Sequence, residues 1–310
     1  MKFLYLTGSA LESDDQEWQL NLKTEAKNYS NKLKVFTASY KDLLHICRDR
    51  NWEIIDLSNK RKLSAYDVIH FRNYTSLPNE VAVIASYLEA RGVCYINNEV
   101  RNIRNTSSKL WQMKHLQAQS IPVPNTYFFH SSRYKKALDY LDQRYDNTDL
   151  FPCVVKLIDG MKGSHNYLAI NETELSKIYQ QNADKKFIMQ PFIKNDGDYR
   201  ILFIGSDSEP VIFKRTAIAG SHLNNTSKGG NALEVPEGEV SFAYVSMARQ
   251  AAKSMDIEIA GVDLIIDSDS NKPYILEVNT TPAILTGFNT PKKTVKYLDY
   301  LLSLSKEAKS

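Results

Sequence analysis

The chain has 310 residues, 43% of them hydrophobic and 24% charged, a composition that excludes a disordered or fibrous protein. Its 39 basic and 36 acidic residues leave a net charge of +3, too small an excess to argue for nucleic acid or a membrane surface as partner. Three scattered cysteines, Cys47, Cys94 and Cys153, form no C-x-x-C pair, which argues against a disulfide framework or a zinc site and suits a reducing cytoplasm.

The opening "KFLYLT" (2–7) has the composition of a strand and too short an apolar run for a signal peptide, and no later run approaches transmembrane length. Apolar residues at helical spacing in "YKDLLHICRDRN" predict a helix over 40–51, followed by strands over 52–57 and 66–72. "VAVIASYLEARG" predicts a helix over 81–92 that Gly92 ends, and "VCYIN" a strand over 93–97. This alternation predicts an α/β domain over 1–105 with a mostly parallel sheet. No G-x-G-x-x-G follows any of its strands, so a dinucleotide site of that type is not indicated.

Near residue 105 the pattern changes. Ser107 or Ser108 can cap a helix carrying Leu110, Met113 and Leu116, and Pro122 and Pro124 stop it. A helix over 133–144, strands over 153–158 and 165–170 and a helix over 172–181 predict a small unit, 106–186. A third unit, 187–310, has predicted strands over 187–193, 199–205, 210–217, 259–267 and 273–279 and helices over 237–255 and 291–303. That pattern is α+β, a largely antiparallel sheet with one long helix and a closing amphipathic one.

Several residues break these patterns. Asp263 interrupts the apolar strand "AGVDLII", where an unpaired carboxylate is expensive to bury. In "YILEVN", Glu277 and Asn279 stand two apart and so share one face of a strand. If the two strands are neighbours, the three oxygen-bearing groups suit magnesium; for Asp263 alone, a salt bridge to a nearby Lys explains as much. Lys156, Arg200, Lys214 and Arg215 also stand in or beside strands. Cations gathered on one side of a sheet bind a polyanion, the Arg forks suiting a carboxylate or phosphoryl group and Lys156 a phosphate. The loop "DGMKGSH" (159–165), with Gly160, Gly163 and Ser164, can turn N–H groups toward phosphate, although a hairpin turn has the same composition. "SKGGNA" (227–232) is expected to be a polar, mobile connection. Arg72 and Asn73 follow a strand at its carboxyl end, where open α/β sheets commonly bind ligands. Arg72 either holds a second substrate carboxylate, as on a glutamate or a peptide terminus, or is a surface residue beside a turn.

In order, Lys109 in "SSKLWQMKHL", "VVKL", the glycine loop, "MQPFI" (189–193), "GDYR" (197–200), "FKR" (213–215), "KGGNA", "GVDL" and "LEVNTTP" resemble the ATP-grasp fold. They are most similar to its RimK-like and glutathione synthetase-like carboxylate–amine ligases, over roughly residues 105–290, preceded by a pre-ATP-grasp βαβ domain. The resemblance implies ATP and Mg2+, or Mn2+, as cofactors and an acyl-phosphate intermediate. It implies that Lys109, Lys156, Gly163 and Ser164 contact phosphates, that Gln190, Pro191, Phe192 and Ile193 form the adenine-reading hinge, and that Asp198 lies near the ribose. It further implies that Asp263, Glu277 and Asn279 hold the metal, with Arg200, Arg215 and Asn224 facing the γ-phosphate and the carboxylate. The partners implied are a small-molecule or peptide carboxylate and an amine, in the cytoplasm, with a homo-oligomer left open. The chain departs from the family pattern at Leu157, where a Pro usually follows the Lys, and at His165, Asn166 and Leu168, where more glycine is usual. A peptide-macrocyclising ligase and a small-molecule kinase of the same fold are the alternatives.

Overall fold

The computed structural model describes residues 1–8, 13–49, 51–144, 150–160, 165–218, 224 and 230–307. The chain begins with β1 (Lys2–Thr7), α1 (Ser13–Ala26) and β2 (Lys34–Ser39), then β3 (Leu43–Arg48), β4 (Asn51–Asp56) and β5 (Arg61–Lys62), then β6 (Val68–Arg72), α2 (Pro78–Glu89) and β7 (Cys94–Ile96). Strands β2, β1, β6 and β7 form, in that order, one parallel sheet, as the alternating pattern requires. Pro78 opens α2, where its missing N–H has no partner to lose, and Gly92, at φ 64°, turns the chain out behind it.

The helix predicted over 40–51 does not form. Leu43–Arg48 is β3, paired antiparallel with β4 from Leu43 opposite Asp56 to Arg48 opposite Asn51. Leu43, Leu44 and Ile46 fit a helical spacing, but Asp49 at φ 51° reverses the chain and the hairpin takes the backbone hydrogen bonds. The spacing also missed α1, in which Trp18 and Leu22, four apart, are buried while Leu20 between them is exposed.

Next come α3 (Ile103–Thr106), α4 (Lys109–Ala118), β8 (Tyr127–Phe128), α5 (Tyr134–Arg144), β9 (Cys153–Leu157), β10 (Asn166–Ala169), α6 (Glu172–Gln181) and β11 (Phe187–Pro191). Here β10, β9, β11 and β8 make a small antiparallel sheet. Leu138 and Leu141 of α5 and Leu175 and Tyr179 of α6 close a core of its own over Val155, Phe187 and Met189. Phe187–Pro191, expected to begin the third unit, belongs to this sheet because Phe187 and Met189 bury in that core. Helix α4, expected within the small unit, sends Met113 and Leu116 into the core of the large sheet.

The remainder is β12 (Asp198–Ile204), β13 (Val211–Thr216), β14 (Asn231–Val235), α7 (Phe242–Ser254), β15 (Ile259–Ile266), β16 (Pro273–Asn279) and α8 (Thr290–Glu307). They build a five-stranded antiparallel sheet in the order β14-β13-β12-β15-β16. Asn231 and Ala232, expected in a mobile connection, are strand residues paired with Thr216 and Arg215. One face, with Ile201, Phe203, Ile212, Val262, Leu264 and Val278, packs on α7 and α4. At one end of the other face, Leu202, Ile204, Val211 and Phe213 share a core with α8 and with Phe3, Tyr5 and Trp18 of the first domain. The rest of that face carries Asp198, Arg200, Arg215 and Asp263, with Ile265 opposite Asp198.

Candidate active site

Strand register decides which charges meet on the polar end. Arg200 on β12 stands opposite Asp263 on β15, Asp263 opposite Glu277 on β16, and Asp198 opposite Arg215 on β13. Opposed residues share a face, so four strands deliver five charged side chains to one patch. Asp263 accepts hydrogen bonds from Arg200 Nε, from Arg200 Nη2 at 2.9 Å and from Arg215 Nη2 at 3.0 Å. Arg215 also donates to both oxygens of Asp198, Nε at 2.6 Å and Nη2 at 2.9 Å. The partner that a carboxylate in "AGVDLII" demands is thus a pair of guanidinium groups, not a lysine.

Asp198, Arg215 and Asp263 are all buried. Burial opposes ionisation of Asp263, but Arg200 and then Arg215 outweigh it and hold its pKa below the usual carboxylate value. Burial raises the pKa of Asp198, which has to share Arg215 with Asp263. Burial likewise works against the Arg215 charge, but Asp263 and Asp198 prevail and its pKa is raised.

Two lysines approach this patch, one from α4 and one from the small sheet. Lys109 is the first residue of α4, whose N-terminus is capped by Ser108 Oγ accepting from the Trp111 N–H at 3.4 Å. Its Nζ donates to the Gly160 carbonyl at 2.5 Å and to Glu277 Oε1 at 3.3 Å, so it bridges the glycine loop and the large sheet. Lys156, on β9, donates to Gln190 Oε1 at 3.0 Å, and Gln190 Nε2 in turn donates to Thr126 Oγ1 at 2.9 Å. Burial pulls the Lys156 pKa down to about 8; the Lys109 charge adds to the shift, and Glu277, Asp263 and Asp198 partly oppose it. The two lysines and the carboxylates of the large sheet therefore face one cleft.

The other expected residues have the following surroundings. Asp198, expected beside the ribose, has both oxygens on Arg215. Asn224, expected opposite the γ-phosphate, accepts from the Ala217 N–H at 3.0 Å and donates to Asn195 Oδ1 at 3.1 Å, which pins neighbouring loops together. In the expected hinge, Gln190 and Pro191 lie in β11, the Phe192 N–H donates to the Pro152 carbonyl at 2.8 Å, and the Ile193 carbonyl accepts from Asn195 Nδ2 at 2.8 Å. Gly163 and Ser164 lie outside the described residues, as do residues 225–229. Sequence reasoning missed Thr126 and the Gly160 carbonyl, which carry no signal of their own. It also missed Gly261, where a Cβ would come within 3.0 Å of Arg200 Nη1 and 3.1 Å of Pro282 Cβ. A glycine inside a strand signals this kind of close approach.

Among the described residues no three His, Cys, Asp or Glu side chains are gathered as a metal-binding group. The expected set adds the amide oxygen of Asn279, which stands opposite Gly261 on the same face and accepts from the Thr281 N–H at 2.9 Å. All three donors are oxygens, as a hard cation requires. Asp263 has three of its roughly four lone-pair positions engaged. Glu277, 35% exposed and with one oxygen on Lys109, has the more available carboxylate. The set fits a magnesium-like ion held chiefly through Glu277.

A family model described as the RimK-like ATP-grasp domain matches residues 106–296, which contain every strand of this cleft. The chain belongs to the RimK-like ATP-grasp family. It is accordingly a carboxylate–amine ligase. A probable alpha-L-glutamate ligase 2 from Shewanella denitrificans is 28% identical over 247 residues, covering 77% of this chain and 78% of the relative. A probable alpha-L-glutamate ligase from Syntrophotalea carbinolica is 26% identical over 251 residues, with the same shares of the two chains. In fold the ligase resembles D-alanine–D-alanine ligase from Bacillus anthracis complexed with ATP, at a TM-score of 0.67 and 17% identity over 100% of this chain and 99% of that one. It also resembles a RiPP-associated ATP-grasp ligase from Chryseobacterium gregarium, solved with ADP and a leader and core peptide, at a TM-score of 0.64 and 14% identity over 96% of each chain. Among the described residues of this RimK-like protein, no helix is long and apolar enough to cross a membrane.

Proposed function

We propose that this ligase uses magnesium–ATP to convert a substrate carboxylate to an acyl phosphate and passes the acyl group to the amine of an amino acid, in the cytoplasm. The observation that carries the reading is the Arg200–Asp263–Arg215–Asp198 ladder, which faces Lys109 and Lys156 across one cleft. Lys109 and Lys156 hold the phosphates. Arg200 is fixed through Nε and Nη2, while its Nη1 lies over Gly261 and can meet a substrate oxygen. Arg215 acts through Asp263, as a positioning residue. Glu277, Asn279 and the remaining lone pair of Asp263 would hold magnesium, which supplies positive charge against the phosphate oxygens.

An oxygen of the carboxylate attacks the γ-phosphorus, the bond to the bridging oxygen breaks and its electron pair leaves with ADP. The amine then attacks the acyl carbon, the carbon–oxygen bond to phosphate breaks, and the amine proton leaves with the phosphate. No side-chain nucleophile takes part; charge placement and exclusion of water carry the reaction. The names of the glutamate ligase relatives support an amino acid as the amine, with glutamate the first to try.

Incubation with magnesium–ATP, hydroxylamine and a panel of carboxylates tests the reading. Hydroxamate formed in step with ADP is the expected result. A stable phosphorylated product without hydroxamate would overturn the acyl phosphate in favour of a kinase.

A further inference from the structure

Arg72 ends β6, at the carboxyl edge of the parallel sheet, and is 6% exposed. Its Nε donates to the Tyr5 hydroxyl at 3.2 Å and its Nη2 to the Pro282 carbonyl at 2.7 Å. Its Nη1 is buried without a hydrogen-bond partner, and among the described residues no carboxylate pairs with it. The neighbouring groups do not compensate its charge. Tyr5 and Pro282 are neutral, and burial raises the pKa of the Tyr40 phenol beside Arg72 and of the Glu99 carboxyl that also faces Tyr40, which works against negative charge on either. His70, two residues back, has Nδ1 within 2.6 Å of the Tyr297 hydroxyl; burial, and after it the Arg72 charge, keeps it neutral. A guanidinium taken out of water with no counter-charge is costly, and an anion brought by a ligand would offset that cost.

The backbone holds this arrangement in place. The Gly8 N–H, just past β1, donates to the Arg72 carbonyl at 3.0 Å, and a Cβ at Gly8 would fall 2.0 Å from the Asn73 carbonyl oxygen and 3.4 Å from Tyr40 Cδ2. Only glycine lets the ends of β1 and β6 close on each other here. On the far side, Pro282 joins Arg72 to the reaction cleft. Its carbonyl takes the Arg72 Nη2 bond, and its Cβ shares the space over Gly261 with Arg200 Nη1. Two guanidinium groups thus flank one proline.

We propose that Arg72 binds the α-carboxylate of the amino acid whose amine attacks the acyl phosphate, and so acts as a substrate-specificity residue contributed by the first domain. This rests on the ligase reading above. A charge-assisted, guanidinium-held carboxylate fits the unpartnered Nη1, and the distance bridged by Pro282 separates it from the carboxylate activated at Arg200.

The test uses the full chain with magnesium and a non-hydrolysable ATP analogue, titrated with a panel of L-amino acids led by L-glutamate and with the matching α-amides. At least one acid is expected to bind about ten- to hundredfold tighter than its amide. That preference disappears in Arg72→Met and is partly retained in Arg72→Lys. The assignment is overturned if no acid is preferred over its amide by the wild-type protein, or if the preference survives in Arg72→Met. The wild-type arm needs no variant to fold. Hydroxylamine-dependent ADP release by the wild-type protein with magnesium–ATP and the panel of carboxylates, which requires no amine acceptor besides hydroxylamine, reports on the ligase reading separately: its absence with every carboxylate sinks that reading, whereas its presence without acid preference sinks only the role of Arg72.

Discussion

Arg215 and Arg72 are buried to the same degree, each 6% exposed, yet their surroundings are opposite. Arg215 lies between two carboxylates, whereas Arg72 has a phenol, a peptide carbonyl and one nitrogen with no partner. One charge is settled inside the fold and the other is left for a ligand. Burial alone therefore does not separate structural from substrate-binding arginines; what separates them is whether the compensating charge is already present.

That contrast is most directly broken by replacing both residues. Arg215→Met strands Asp198 in the interior and leaves Asp263 to Arg200 alone, and should lower unfolding free energy by about 3–5 kcal/mol. Arg72→Met removes two hydrogen bonds together with an uncompensated charge and should lose at most about 1–2 kcal/mol. Equal losses in urea titrations would erase the distinction. The next largest effect is on rate: Glu277→Gln, which keeps size and removes charge, should cut ADP release at least about a hundredfold with the fold intact. Near-normal turnover would take Glu277 out of the reacting end.

Lys156 sharpens the comparison from the cationic side. Its pKa, about 8 because of burial, should rise when phosphate approaches, so ATP binding above pH 8 takes up a proton. Affinity should then fall as pH rises from 8, by roughly tenfold per unit at most, until the bound-state pKa is reached. Calorimetric titration in buffers of differing ionisation enthalpy would read the uptake, and Lys156→Met should abolish it. The smallest effect is expected at the α4 cap: Ser108→Ala should cost about 1 kcal/mol and weaken ATP binding slightly through Lys109. Unchanged nucleotide affinity with lower stability would show that the cap serves the helix alone.

How far each feature was legible follows from where its cause lies. Asp263 and Glu277 were visible because a carboxylate in an apolar strand contradicts its surroundings. The partners of Asp263 were not, since strand order brings Arg200 and Arg215 to it and strand order is a tertiary fact. The parallel sheet was legible from alternation, whereas Leu43–Arg48 was misjudged because six apolar-rich residues satisfy helix and hairpin alike. Phe187–Pro191 was assigned to the wrong sheet for a related reason: its pattern says strand but not which neighbour. Arg72 was located correctly and left undecided between surface and site. The residue that covers it, Pro282, is 210 positions away in the sequence.

The shared core of β1, α1 and α8 has a consequence for how the chain is made. Phe3, Tyr5, Trp18 and Leu22 pack against Tyr297, Leu298 and Leu301, and the Tyr29 hydroxyl donates to Asp299 at 3.0 Å. During synthesis the first strand therefore waits for the last helix. The β1 and α1 segments emerge from the ribosome with an apolar face that stays wet until α8 arrives, and a chain cut short before α8 would leave this shared core open at β1 as well.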